Sequence, residues 1–220
     1  MYVQNTNGYP TVIDVPREGT APLLAKVLGI TALGFFITAF GVATAPSWSM
    51  MPGFIAVLVL VFAINGARKR SEATAMGLFL ALAFFMGWEI APIINMYLHA
   101  FGTPLVLQAA LTTGLGMTAM GCAAYLFSIN YRRVAGIAGA ALLALILVGI
   151  LSIFFHFMPP TLYSWIALAI FTALTVADFA RIRAGGDGMG AVSLALGIYL
   201  DAINIFLILL QLLGGRSRRD

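Results

Sequence analysis

Long apolar runs separated by short polar breaks are the dominant pattern along this chain. Seven runs approach or exceed the roughly 20 residues that a helix needs to cross a bilayer, and they cover about 22–44, 50–67, 73–99, 104–128, 134–157, 160–182 and 191–213. The breaks contain turn-forming residues such as Pro159-Pro160 and Gly185-Gly186. Because every break is short, neighbouring helices should run antiparallel. The pattern predicts an all-α integral membrane protein that forms one bundle of seven transmembrane helices.

The two ends of the chain differ from this apolar region. We expect residues 1–21 to form a short polar N-terminal tail, 22–213 to form a single transmembrane domain, and 214–220 to form a basic C-terminal tail. No charged segment precedes an apolar stretch at the N-terminus, so this tail does not resemble a cleaved signal peptide. The prediction is therefore one domain with two short tails.

The amino-acid composition restricts the class of protein. About 61% of the 220 residues are hydrophobic and 9% are charged, and the mean hydropathy is +1.00. A soluble domain carries about 25% charged residues, so this chain has too few to cover a water-facing surface. The composition excludes an ordinary soluble enzyme, a disordered chain and a nucleic-acid-binding domain.

Basic breaks alternate with uncharged breaks, and this alternation predicts the orientation of the chain. Nine of the twelve Lys and Arg residues lie in the N-terminal region and in the breaks at 68–70, 132–133 and 181–183. The positive-inside rule places these breaks in the cytoplasm. The N-terminus is then inside and, after seven crossings, the C-terminus is outside. Three arginines after residue 214 oppose this result, and a re-entrant last segment is the alternative.

A carboxylate near the bilayer centre costs at least about 2.5–3.5 kcal/mol, and Asp201 lies close to the midpoint of the last run. On a helix, Ser193, Gly197, Asn204 and Gln211 form a narrow stripe, with Asp201 about 60° away. This polar face predicts a last helix at the centre of the bundle. The face either lines water or joins helices to one another.

Glu89 lies past the middle of the third run, three residues before Pro92. A proline removes a helix donor and favours a kink. Two interpretations stay open for this carboxyl group. It is an ion or proton site at a broken helix, or it is a neutral side chain hydrogen-bonded to a backbone carbonyl that the proline frees.

Asp178 lies near the end of the sixth run, one helical turn before Arg181. One interpretation is an ion pair at a helix end, in the headgroup region. The other is a contact with Asp201, although straight helices would leave the two about one and a half turns apart in height. His99 and His156 are too isolated to predict a metal site. No nucleophile–base or metal constellation is recognisable, so we do not expect an enzyme.

Three segments resemble the Bax inhibitor family, whose members are also called transmembrane Bax inhibitor motif proteins. They are 91–98, 178–183 and 193–214, and the last contains the specific pattern aromatic-Leu-Asp-x-Ile-Asn-Ile-Phe. The similarity covers about 25–214, and the third-run motif is most similar to bacterial YccA-type members. The resemblance implies a seven-helix fold with a central last helix and a location in the bacterial inner membrane.

The resemblance also implies an activity. Bacterial and animal members are described as pH-sensitive calcium leak channels, in which one aspartate on each of the last two helices shares a proton and holds the pore closed. The matching residues are Asp178 and Asp201, which would contact Ca²⁺ transiently. Glu89 and Asn204 are additional candidate pore or proton residues. The basic partner near the end of the second helix would be Arg68, Lys69 or Arg70.

An alternative function follows from the YccA-type members. YccA is described as a modulator of the membrane protease FtsH that acts partly through its cytoplasmic tail. Here the corresponding segment would be residues 1–20, the partner an FtsH-type protease, and no transport would occur. Neither function requires a cofactor. The presence of both aspartates favours the leak channel, whose partners would be lipid, Ca²⁺ and H⁺.

Overall fold

The fold is described from a computed structural model that defines residues 2–4, 10–12, 20–67 and 71–217. These residues contain seven α-helices: α1 Thr20–Thr44, α2 Met50–Ala67, α3 Glu72–Phe101, α4 Thr103–Leu126, α5 Tyr131–Phe155, α6 Pro160–Arg183 and α7 Ala191–Ser217. A 3₁₀ turn, Gly186–Gly188, lies between α6 and α7. Two short strands, β1 Tyr2–Gln4 and β2 Pro10–Val12, pair antiparallel before α1. The hairpin was not predicted, because three residues per strand are too few to show an alternating pattern.

The helices coincide with the seven apolar runs, with small differences at their ends. α5 begins earlier than expected because the Asn130 side chain caps it, accepting a hydrogen bond from the N–H of Arg133. α7 extends to Ser217, so the proposed C-terminal tail from 214 begins as helix. Six helices are long and apolar enough to cross a membrane, whereas α2 contributes the shorter apolar stretch Met50–Ile64. Seven crossings therefore stay a prediction.

Large apolar side chains cover the outside of the bundle. Phe36 and Phe62, for example, are 76% and 75% exposed. Soluble monomers rarely expose contiguous apolar surface on this scale. A lipid-facing surface has this character, so the packing agrees with the composition in favouring a membrane protein.

α7 packs against α1, α3, α4 and α6, and it has a larger buried share than the other five candidate spans. Tyr199 of α7 is fully buried, and its hydroxyl lies 2.6 Å from Oγ1 of Thr38 on α1. The Thr38 hydroxyl lies 3.0 Å from the carbonyl oxygen of Ala83 on α3 and can donate to it. The rings of Phe35 and Phe79 each pack 5.4 Å from the Tyr199 ring. One phenol therefore connects three helices.

α1 and α3 are in backbone contact at Gly41 and Gly87. A Cβ atom added to Gly87 would lie 2.8 Å from both the Cα of Gly41 and the N of Val42. A Cβ added to Gly41 would lie 3.1 Å from the Cα of Gly87. Small residues are required here because the two helices approach so closely.

The loop between α6 and α7 is attached to the start of α5 through Asp187, whose own backbone has a φ of 54°. Its Oδ1 accepts hydrogen bonds from the Tyr131 hydroxyl at 2.7 Å and from Nη2 of Arg132 at 2.9 Å. These contacts fix the loop that determines how α7 is aligned with α6.

Two other basic residues at this end of the bundle also connect helices. Lys26 of α1 lies 3.7 Å from the Glu72 carboxylate at the start of α3. Nη1 of Arg183 donates to carbonyl groups at the C-terminal end of α4, which are those of Ala124, Tyr125 and Phe127. The described basic residues thus lie at one end of the bundle, as the alternation of the breaks requires.

We expect Gly87→Ala to destabilise the bundle by about 1–3 kcal/mol, the usual cost of overpacking. The added methyl would meet backbone atoms of α1, which cannot move aside as a side chain can. Thermal unfolding in detergent measures the effect.

Gly77→Ala is the matched control on the same helix, because a Cβ at Gly77 meets nothing within 4 Å. It should be neutral or slightly stabilising. Equal melting temperatures for the two variants would contradict the backbone contact between α1 and α3.

The α6–α7 loop should detach from α5 in acid. The hydrogen bonds from Arg132 and then Tyr131 hold the pKa of the exposed Asp187 below its usual range. The attachment is therefore complete above the ordinary carboxyl pKa and is lost as pH falls through the lowered value. Hydrogen exchange of residues 184–190, corrected for intrinsic rates, should rise in acid. Asp187→Asn should exchange fast at every pH, and Glu72→Gln should behave as wild type.

Candidate functional site

Both predicted aspartates lie where α6 contacts α7. Thr175 and Asp178 are one turn apart on α6, and Gly197 and Asp201 are one turn apart on α7. Oγ1 of Thr175 lies 3.2 Å from Oδ2 of Asp201. Oδ2 of Asp178 lies against Gly197, where any Cβ would collide with it. We call these four residues the α6–α7 seam.

The two carboxylates of the seam are about one helical turn apart along its length. Asp178 is level with Gly197, which precedes Asp201 by four residues and therefore by about 6 Å of helix rise. This offset is smaller than the one and a half turns expected for straight helices. The hydrogen bonds of the two carboxylates go to different partners, Arg181 for Asp178 and Thr175 for Asp201.

Asp201 is 7% exposed, and Thr175 beside it is fully buried. The single hydroxyl hydrogen of Thr175 faces two acceptors, the Phe171 carbonyl oxygen at 2.8 Å and the Asp201 carboxylate at 3.2 Å. If Asp201 carries a proton, its O–H can donate to Thr175 while Thr175 donates to Phe171. If Asp201 is ionised, the two acceptors must share one hydrogen. The arrangement is more fully satisfied with a proton on Asp201.

Asp178 forms an ion pair with Arg181, whose Nη1 lies 2.9 Å from its Oδ1. The side chains are 19% and 24% exposed, and the Arg181 guanidinium also lies 5.9 Å from the Tyr131 ring centre. The helix-end ion pair predicted from their spacing is therefore present, yet the second oxygen of Asp178 still faces α7. The proposed basic partners lie outside the described residues: Arg68, Lys69 and Arg70.

Other polar groups of α7 lie along the helix beyond Asp201. Nδ2 of Asn204 donates to the Leu200 carbonyl of the same helix at 2.8 Å. Oε1 of Gln211 accepts a hydrogen bond from the buried Ser164 of α6 at 3.0 Å. Gln211 and Ser164 also line a cavity of about 600 Å³ between the ends of α3, α6 and α7, together with Tyr97, Trp165 and others. The sequence stripe predicted these polar positions but not the cavity.

Glu89 lies on α3, which continues through Pro92 as one helix, so the broken helix of one interpretation is absent. The proline leaves the Trp88 carbonyl without its helical donor, and Oγ of Ser49 donates to that carbonyl at 2.8 Å. Ser49 thus takes the position that the other interpretation gave to Glu89. Oε2 of Glu89 is buried without a hydrogen-bond partner, and so is Nε1 of Trp88.

Within the described part of the chain, no three His, Cys, Asp or Glu side chains are grouped closely enough to hold a metal ion. His99 ends α3 and His156 follows α5, as separate residues. The acidic groups of interest are therefore a pair at the seam and a single carboxyl at Glu89.

Comparison with known proteins places these features in a family. A family model described as inhibitor of apoptosis-promoting Bax1 matches residues 20–218. An uncharacterized protein of Borreliella burgdorferi is 30% identical over 235 aligned positions, covering 93% of this chain and 99% of its own. An uncharacterized membrane protein of Streptococcus pyogenes is 31% identical over 170 positions, covering 71% and 70%.

A third relative has a named role. The Escherichia coli K12 protein named modulator of FtsH protease YccA is 28% identical over 203 positions, covering 89% of this chain and 88% of its own. The family match includes all seven helices and confirms the resemblance of the sequence motifs. This chain is therefore a multi-pass membrane protein of the Bax inhibitor family.

Proposed function

We propose that this protein is a pH-sensitive calcium leak channel of a bacterial inner membrane, gated by Asp178 and Asp201. The observation that carries the proposal is the α6–α7 seam, where two carboxylates lie about one turn apart and Asp201 is buried. Ionisable groups within membrane spans are costly, and they usually mark ion or proton pathways.

In the closed state a proton on Asp201 joins α6 to α7. The protonated carboxyl donates to Thr175, which keeps its own bond to Phe171. Arg181 balances the charge of Asp178, so the seam carries no net negative charge. The two helices then stay in contact and ions cannot pass between them.

Loss of that proton opens the path. Two ionised carboxylates at this spacing repel each other, and they titrate as a coupled pair. The repulsion loosens the contact between α6 and α7 and leaves anionic oxygens, which suit a hard divalent cation such as Ca²⁺. With only two carboxylates, a cation would be held weakly, as transit requires. Asn204 and the cavity at Gln211 would continue the path toward the far end.

The proposed topology has seven crossings, with the N-terminus in the cytoplasm, the C-terminus outside and α7 as the central helix. The contacts of α7 with four other helices and the grouping of basic residues at one end support this arrangement. The bacterial origin of these relatives supports the choice of a bacterial membrane.

A second candidate function is modulation of an FtsH-type protease without transport. The observation that favours it is the similarity to the relative named modulator of FtsH protease YccA, whose alignment covers most of both chains. The N-terminal residues 1–20 would contact the protease, and the aspartates of the seam would serve packing alone.

Asp201→Asn should remove most of the pH dependence of calcium flux into liposomes that contain the purified protein. The amide cannot release a proton, so Asp178, which is paired with Arg181, is the one carboxyl of the seam that can still titrate. Wild-type flux should rise with pH, by up to about tenfold per pH unit for one released proton. Fluorescent calcium uptake from about pH 5 to pH 8 measures both proteins.

Glu72→Gln is the matched control, because it makes the same carboxyl-to-amide change at an exposed position outside the seam. It should retain the wild-type pH profile. Unchanged pH-dependent flux in Asp201→Asn would overturn this gate, and absence of flux at every pH from folded wild-type protein would remove the channel itself.

Deletion of residues 1–19, which precede α1, should abolish modulation if the second candidate is correct. The readout is the degradation rate of a membrane substrate by an FtsH-type protease in cells with and without this protein. A tail of the same length with scrambled sequence should behave like the deletion. If the deletion variant still modulates the protease fully, the tail has no role. The same conclusion follows if Asp201→Asn loses modulation and the deletion variant keeps it.

A further inference from the structure

Glu89 lies where the backbones of α2 and α3 touch. A Cβ atom added to Gly53 of α2 would lie 2.7 Å from the Glu89 nitrogen and 3.0 Å from its Cα. Ser49, just before α2, is fully buried and donates to the Trp88 carbonyl at 2.8 Å. The backbone next to Glu89 is therefore fixed on two sides, by Gly53 and by Ser49.

One oxygen of the partly exposed Glu89 side chain lacks the hydrogen-bond partners that the other intramembrane carboxylates have. Asp178 has an arginine and Asp201 has a threonine hydroxyl. Oε2 of Glu89 is fully buried with no hydrogen-bond partner. Ser49 donates to the carbonyl that Pro92 frees, so it provides no bond to this carboxyl. An ionised carboxylate without a partner is far more costly in such a place than a neutral one.

No cation of the described residues faces Glu89. α2 contains no charged or histidine residue, and the segment 45–49 contains none. The only basic residue of α1 is Lys26, which pairs with Glu72 at the other end of α3. From α7 the titratable group within electrostatic range is Tyr199, whose hydroxyl bonds to Thr38.

The remaining ionisable groups on these helices are distant or otherwise bonded. On α3 itself, Tyr97, His99 and Glu72 are 8, 10 and 17 residues away, about 12, 15 and 25 Å of helix rise. On α7, Asp201 bonds to α6. The described surroundings of Glu89 provide no positively charged side chain, so a bound proton is what can neutralise its carboxylate.

We propose that Glu89 is a second proton-binding site, located at the α2–α3 contact and separate from the α6–α7 seam. In its neutral form the carboxyl is compatible with the close approach of Gly53. Loss of the proton would place an unpaired negative charge at that contact and weaken the packing of α2 on α3. The site does not depend on leak activity, so it can be correct even if no flux is found.

The test uses dicyclohexylcarbodiimide, an apolar reagent that enters lipid and adds to protonated carboxyl groups. The full chain in liposomes is treated at several pH values, and labelled peptides are quantified by mass spectrometry. Glu89 should be labelled at low pH, and labelling should fall by up to about tenfold per pH unit once the carboxyl ionises. Asp201→Asn should not change the Glu89 profile, because the two sites are separate.

Glu72 is the matched control, an exposed glutamate on the same helix that lies 3.7 Å from Lys26. It should react with a water-soluble carbodiimide and not with the apolar reagent. Glu89→Gln should abolish the Glu89 label, whereas Glu72→Gln should leave it unchanged.

Thermal unfolding against pH gives a second, label-free measurement. The melting temperature of wild type should fall more steeply as pH rises than that of Glu89→Gln, because only wild type can acquire the buried charge. Parallel pH profiles would overturn the proposal, and so would absence of labelling or labelling that does not depend on pH. Protection of Glu89 by millimolar calcium would also overturn it, since it would identify a cation site instead.

Discussion

The hydrogen bond between Tyr199 and Thr38 determines which way α7 faces. Both side chains are buried, and within hydrocarbon a polar group must find its partner inside the protein. Thr38 can in turn donate to the Ala83 carbonyl of α3 or to the Gly34 carbonyl of its own helix, so the phenol requires α1 and α7 to be in register and the hydrogen bonds extend to α3. Asp201 follows Tyr199 by two residues and is about 200° away around the helix. Fixing Tyr199 toward α1 and α3 therefore turns Asp201 toward α6.

The hydrogen bond between Tyr199 and Thr38 requires the backbones of neighbouring helices to approach closely. Lipid tails are as apolar as leucine, so helices in a membrane gain little from burying hydrophobic surface and depend on tight packing. Gly41 and Gly87 allow α1 and α3 to touch near Thr38. Gly53 allows the same between α2 and α3, and Gly197 leaves room for the Asp178 carboxylate at α7. Each glycine lies beside a polar group whose position depends on the contact.

Hydropathy was sufficient to predict the seven helices, because each is a continuous apolar run with turn residues at its ends. It also identified Asp178, Asp201 and Glu89 as intramembrane carboxylates. The partners of these residues could not be predicted, apart from Arg181, which lies one turn from Asp178. The bond from Thr175 to Asp201 depends on a helix register set by the loop that Asp187 attaches to α5. The bond from Ser49 to Trp88 joins residues 39 positions apart.

The three carboxylates differ in how their charge is compensated, and this difference separates their roles. Asp178 has a cation beside it, so it can stay ionised without loss of packing. Asp201 lies beside the Thr175 hydroxyl, which can accept a hydrogen bond from the protonated carboxyl or donate one to the ionised carboxylate. Both protonation states of Asp201 therefore have a partner. Glu89 has neither in the described structure, and only its neutral state suits its surroundings. A residue that tolerates both states can act as a reversible switch, whereas one that tolerates a single state mainly stabilises the helices around it. On this argument the proposed gate belongs to the α6–α7 seam, and the proposed proton site at Glu89 would limit the pH range over which α2 remains packed on α3.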